Sequence, residues 1–155
     1  MKRFKWKLER VLDIKTQHER ALRSDLFTLA QAIARVREEI LERRTVIRTL
    51  LGELAKRRLA DRLPEQAIFL EFSAVEEREI DRLRARLRDL ESERAEKQRR
   101  FLEVRSTCKT LKRLREEARS AHMRDVGKRE QMAFDESAHT AFARRASPRL
   151  ERTLG

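Results

Sequence analysis

Read from Leu22, apolar side chains recur at Leu26, Leu29, Ile33, Val36, Ile40, Ile47, Leu50 and Leu54, in alternating steps of four and three with only Arg43 out of type. That spacing is the seam of a coiled coil, because a 3.5-residue repeat keeps one narrow stripe of a helix turned toward a partner. Upstream, Phe4, Leu8 and Val11 keep the alternation, and joining them to Leu22 through Lys15 and His18 takes two consecutive steps of four. Such a stutter locally unwinds the supercoil, so the N-terminal turns are expected to pack more loosely. A second seam runs through Ile80, Leu83, Leu87, Leu90, Phe101, Val104, Cys108, Leu111 and Ala118, interrupted by Arg94 and Lys97.

Between the seams lies ADRLPEQ, in which Pro64 cannot continue a helix but suits the first turn of a new one. Downstream, SAVEE gives Ser73 and Glu76 the spacing of a capping box, with Glu77 adding negative charge at a helix start. These patterns predict an all-α fold: a long antiparallel two-stranded coiled-coil hairpin with a C-terminal helical overhang. A single hairpin domain is expected over about 1–147, with helix 1 at about 4–62, the turn at about 61–73 and helix 2 at about 66–146. The tail at about 148–155, with Pro148 and a final glycine, is expected to be disordered.

If the chain reverses near Pro64, facing residues have numbers summing to roughly 128, which sets Phe4 opposite the region of Arg124 and leaves the residues beyond Arg124 without a partner in the hairpin. A first helix of about 59 residues would be roughly 88 Å long, and the second would exceed it by several turns. The overhang contains REQMAFDESAHTAFARR, where Met132, Phe134, Ala138, Ala141 and Phe142 are expected close to one side of a helix, flanked by Asp135 and Glu136. Burying the two phenylalanines would contribute on the order of 1.5 to 3 kcal/mol each. Either the chain's own N-terminal residues cover them, with Gly127 allowing a bend, or another chain does.

Composition supports an extended helical assembly over a globular enzyme. The 155 residues are 43% charged, 5% aromatic and include 3 glycines, too little apolar material for a conventional interior. A rod that buries only a seam offers no enzyme-sized pocket, and no glycine run could cradle a phosphate. The histidines at 18, 122 and 139 are too scattered for a metal site within one chain. Cys108 falls in the seam, where cysteine behaves as a small apolar residue. No catalytic residue, cofactor or metal is therefore expected. A lone cysteine also excludes an intramolecular disulfide and suits a reducing compartment.

The net charge is +12, and positions 1–63 hold 17 basic against 9 acidic residues, so the first helix carries most of the excess. A solvated face explains this as readily as an acidic partner does. Specific nucleic-acid binding is disfavoured: basic and acidic residues interleave over the second helix, and no basic region runs into a zipper. No apolar run is long enough to cross a bilayer. The start, MKRFKWKLERVL, is broken by charges unlike a secretory signal. It could lie on a membrane surface, but Phe4, Leu8 and Val11 are expected to finish the seam instead.

The start FKWKLERVLDIKTQHE, the two heptad helices and the closing REQMAFDESAHTAFARR resemble the flagellar export protein family FliJ, whose members pair an N-terminal Phe-x-aromatic-x-Leu-x-x-Val-Leu pattern with a C-terminal Glu-Gln-x-x-x-Asp-Glu-x-Ala segment. Here these correspond to Phe4, Trp6, Leu8, Val11 and Leu12, then to Glu130, Gln131, Asp135, Glu136 and Ala138. The central heptads are generic, so the two ends carry the resemblance. It implies a non-enzymatic cytoplasmic component of the flagellar type III export apparatus, similar to the central stalk of rotary ATP synthases. Such a protein inserts into the hexameric ring of the export ATPase, promotes its assembly and links it to the membrane export gate. Some members bind export chaperones, and attachment to the inner membrane is peripheral, through partners. Injectisome stalk proteins share the design, and a generic structural coiled coil is the further alternative. On this reading Glu130, Gln131, Met132, Phe134, Asp135, Glu136 and Phe142 meet the ATPase, and Phe69 and Phe72 near the hairpin end either meet the gate or close the hairpin as core.

Overall fold

The computed structural model describes the backbone of residues 2–153 and the side chains of residues 2–147. Two helices make up the fold, α1 (Glu9–Ala55) and α2 (Leu59–Thr153), with no strand among the described residues. They pack against each other as an all-α helical hairpin. The tail at 148–155 was expected to be disordered; α2 runs through it to Thr153, and residues 154 and 155 lie outside the described residues.

By its packing the chain divides into two compact units, one of residues 1–15 with 107–155 and the other of residues 16–106. A single hairpin domain was expected over 1–147. In the 16–106 unit the partners run antiparallel. Moving back along α1 through Arg43, Arg37 and Asp25, the ion-pair partners on α2 advance through Glu76 at 2.9 Å, Glu91 at 2.7 Å and Lys97 at 3.0 Å. Arg23 then stacks over the Phe101 ring, 5.7 Å from its centroid. The core is the seam itself: Val36, Ile40, Ile80 and Leu83 form a buried cluster, with Ile47, Leu87 and Leu90 packed on it. Each such side chain taken from water stabilises the pairing by roughly 1.5–3 kcal/mol, which is what a highly charged chain has available.

Arg43 breaks the apolar alternation without leaving an unpaired charge in the seam. Its guanidinium donates to Glu76 across the hairpin and to Glu39 one turn back, at 2.9 and 3.3 Å. The Glu76 hydrogen bond raises the Arg43 pKa, so the charge is held more firmly. Lys97 is likewise paired, to Asp25, while Arg94 is exposed.

In the other unit Leu12, Cys108 and Leu111 are buried. Glu9 accepts from Arg115 at 3.2 Å, and the Phe4 ring tilts on His122 with centroids 5.4 Å apart. The register differs here from expectation. Leu12 is 3% exposed, whereas Val11 is 42% exposed and Leu8 also faces solvent. From Leu12 the buried and half-buried positions Lys15, Glu19 and Leu22 follow in steps of three, four and three, so α1 carries one unbroken repeat and no stutter at Lys15 and His18. Val11 would have required two consecutive steps of four, and Leu12 avoids that unwinding. The stutter occurs in α2 instead, where Phe72, Glu76 and Ile80 follow one another by fours before Leu83 and Leu87.

The reversal also lies earlier than Pro64 suggests. Helix α1 closes on Lys56 N–H to Glu53 O and Arg57 N–H to Leu54 O, both 3.2 Å, the tighter spacing common at helix ends. The Arg62 guanidinium donates to the carbonyls of Ala55 at 2.6 Å and Arg57 at 2.9 Å, capping groups that a continuing helix would have used. Residues 56–58 make the link, and Pro64 sits within the early turns of α2. There the missing N–H forfeits a single intrahelical bond. Ser73 lies inside α2 with its hydroxyl donating back to Leu70 O at 3.1 Å, so no second helix starts there. Gly127, where the sequence allowed a bend, is within α2 and has no positive φ, so the helix continues through it.

Candidate partner-binding surfaces

The first surface is the end of α2. Every residue from 127 to 147 is exposed, although the helix continues throughout. Alanine at 133, 138, 141, 143 and 146 supplies high helix propensity. Ser137 and Thr140 donate their hydroxyls to the backbone carbonyls of Phe134 and Glu136, at 2.9 and 2.8 Å.

Met132, Phe134 and Phe142 are 70%, 75% and 74% exposed. The chain's own N-terminal residues therefore do not bury them. Met132 does not share the phenylalanine face: two positions along a helix are about 200° apart around its axis, whereas Phe134 and Phe142, eight positions apart, differ by about 80°. Phe134, Ala138, Ala141 and Phe142 form the apolar side, with Gln131 within it between Ala138 and Phe142 and Asp135 beside Phe142. Met132 and Glu136 belong to the opposite side. Glu130, Asp135 and Glu136 are exposed and take part in no ion pair among the described residues. They remain available as hydrogen-bond acceptors.

The second surface is a groove of about 310 Å³ at the hairpin end of the 16–106 unit, lined mainly by Leu50, Leu54, Ile68, Phe69 and Phe72. Arg57 and Glu65, which pair with each other, stand in the same wall. Phe69 and Phe72 are half-buried, so they close the hairpin with one side and line the groove with the other. Leu50, expected in the seam, is exposed, and Leu59, Leu63, Ile68 and Leu70 are exposed as well. Sequence reasoning did not single out the last four, and their missing position in the heptad repeat was the available signal.

Met132, Phe134 and Phe142 lie in the 107–155 unit, whereas Phe69 and Phe72 lie in the 16–106 unit. Among the described residues no group of three His, Cys, Asp or Glu side chains could hold a metal, and no helix is long and apolar enough to cross a membrane.

A family described as "Flagellar FliJ protein" matches residues 4–147, which include both end motifs, the two seams and the link between them. No curated protein and no solved structure matches the chain. With nearly its whole length matched, the chain belongs to the FliJ family of flagellar proteins.

Proposed function

We propose that this protein is a component of the flagellar type III export apparatus that acts as the stalk of the export ATPase ring. The observation that carries the proposal is the uncovered end of α2, where residues 127–147 are exposed throughout and present Phe134 and Phe142. A helix that extends an aromatic face into solvent gains nothing on its own; burial by a partner repays it. The phenylalanine face, with Glu130, Gln131 and Asp135 near it, seats in the ATPase ring, and Met132 and Glu136 contact the ring from the other side of the same helix. The apolar groove at Phe69 and Phe72 meets the membrane export gate, which places the protein on the cytoplasmic side of the inner membrane at the flagellar base. An export chaperone would compete for the same exposed helix.

The test is ATPase stimulation. Adding the protein to the purified export ATPase should raise hydrolysis, and Phe134→Asp should lower that stimulation several-fold while leaving the helical signal and melting midpoint unchanged. Stimulation that survives the substitution removes Phe134 from the interface. A protein that self-associates and leaves hydrolysis untouched is a structural coiled coil and not a stalk.

A further inference from the structure

The N-terminal turns hold apolar side chains that the seam does not use. Leu8, Val11 and Ile14 are all exposed: Val11 and Ile14 stand about 60° apart on the first turns of α1, and Leu8 lies in the turn just before the helix. His18, seven positions after Val11, is exposed in the same sector. The acidic residues of this stretch, Glu9 and Asp13, each stand two positions from Val11 and so about 200° around the axis, on the far side. Glu9 is moreover neutralised by Arg115 at 3.2 Å. Residues 2–15 carry Lys2, Arg3, Lys5, Lys7, Arg10 and Lys15 against those two carboxylates. The half-buried Trp6, the chain's single tryptophan, lies in the non-helical arm just before α1. On the neighbouring stretch of α2, Arg115 and Arg119 share a groove with Arg3, opposed by Glu9 and Glu116.

We propose that the face of Leu8, Val11 and Ile14, with the basic arm leading into it, docks on an anionic phospholipid surface. An exposed apolar row beside lysines, with the carboxylates turned away, has the charge distribution that places a short amphipathic segment at the headgroup boundary. An acidic protein surface accounts for the lysines alone, whereas the aliphatic residues and Trp6 set beside basic side chains in a short arm match the mixed apolar and anionic character of a headgroup boundary. The inference is independent of the stalk reading, since neither ATPase nor gate takes part in it.

The full-length protein carries its own reporter. Trp6 emission is followed while vesicles of mixed phosphatidylcholine and phosphatidylglycerol, or of phosphatidylcholine alone, are added. The expected result is a blue shift with the anionic vesicles only, weakened by added salt. Val11→Asp/Ile14→Asp should reduce vesicle affinity by about tenfold or more, and Lys5→Glu/Lys7→Glu should do the same. Circular dichroism of each variant should match the parent, because the substituted residues are exposed. If the aspartate variant fails to fold, the glutamate variant carries the test. Unchanged affinity in the folded aspartate variant overturns the proposal, since attraction would then be charge alone. A Trp6 shift produced by purified export ATPase but not by anionic vesicles overturns it too, assigning the face to a protein.

Discussion

Replacing Ile33 by alanine tests the seam where it is most enclosed, because Ile33 is 2% exposed. The substitution removes about three methylene equivalents, worth roughly 2.4 kcal/mol at about 0.8 kcal/mol each. The cavity left behind adds to this, since neighbouring helices relax only in part. Alanine's better helix propensity offsets about 0.4 kcal/mol. The net expected loss is about 2.5–4 kcal/mol. The comparison is Phe27→Ala in the same unit, a larger truncation at a side chain that is 66% exposed, for which the expected change is within about 0.5 kcal/mol. Urea unfolding followed by far-ultraviolet circular dichroism measures both. Midpoints should not depend on protein concentration, because the seam is paired within one chain. Equal losses at the two positions, or a larger one at Phe27, would refute the assignment of the seam. A midpoint that rises with concentration would show that the strands meet between molecules.

Other expectations rest on single contacts. Arg62→Ala removes the side-chain donor to the Ala55 and Arg57 carbonyls, and should cost about 1 kcal/mol and speed amide exchange around residues 53–57; unchanged exchange there would mean the cap does not hold the reversal. Cys108, 2% exposed, should resist a thiol reagent in the native state and react at the rate of unfolding. Rapid labelling under native conditions would show that the seam opens locally near that position.

Much of the hairpin is legible in the sequence because a heptad repeat reports its own partner. Leu22, Leu29, Ile33, Val36 and Ile40 on α1, and Ile80, Leu83, Phe101, Val104, Cys108 and Leu111 on α2, are buried where the alternation puts them. The misreadings lie where a local signal competed with continuity along the helix. Val11 and Leu12 are both apolar and adjacent, and the choice between them depends on keeping phase with Leu22, ten positions away. Pro64 marks a helix start, but the reversal lies several residues earlier, where Arg62 reaches back five and seven residues to backbone carbonyls, a contact with no motif of its own. Ser73 has capping-box spacing yet bonds backward within a helix, since Glu76 is engaged by Arg43 across the hairpin. At the candidate sites, the exposure of Phe134 and Phe142 came from counting residues past the hairpin's reach. The separation of Met132 from them required the helix angle as well. The groove beside Phe69 and Phe72 could not be read in advance, because it forms where Leu50, Leu54 and Ile68 meet at the hairpin end.

Hydrogen exchange of the protein alone and bound to the export ATPase hexamer tests the central claim most directly. Residues 127–147 should exchange readily in the free protein and gain protection on binding, with the strongest protection around Phe134 to Phe142. Protection confined to residues outside that segment, with 127–147 exchanging as before, would contradict the account.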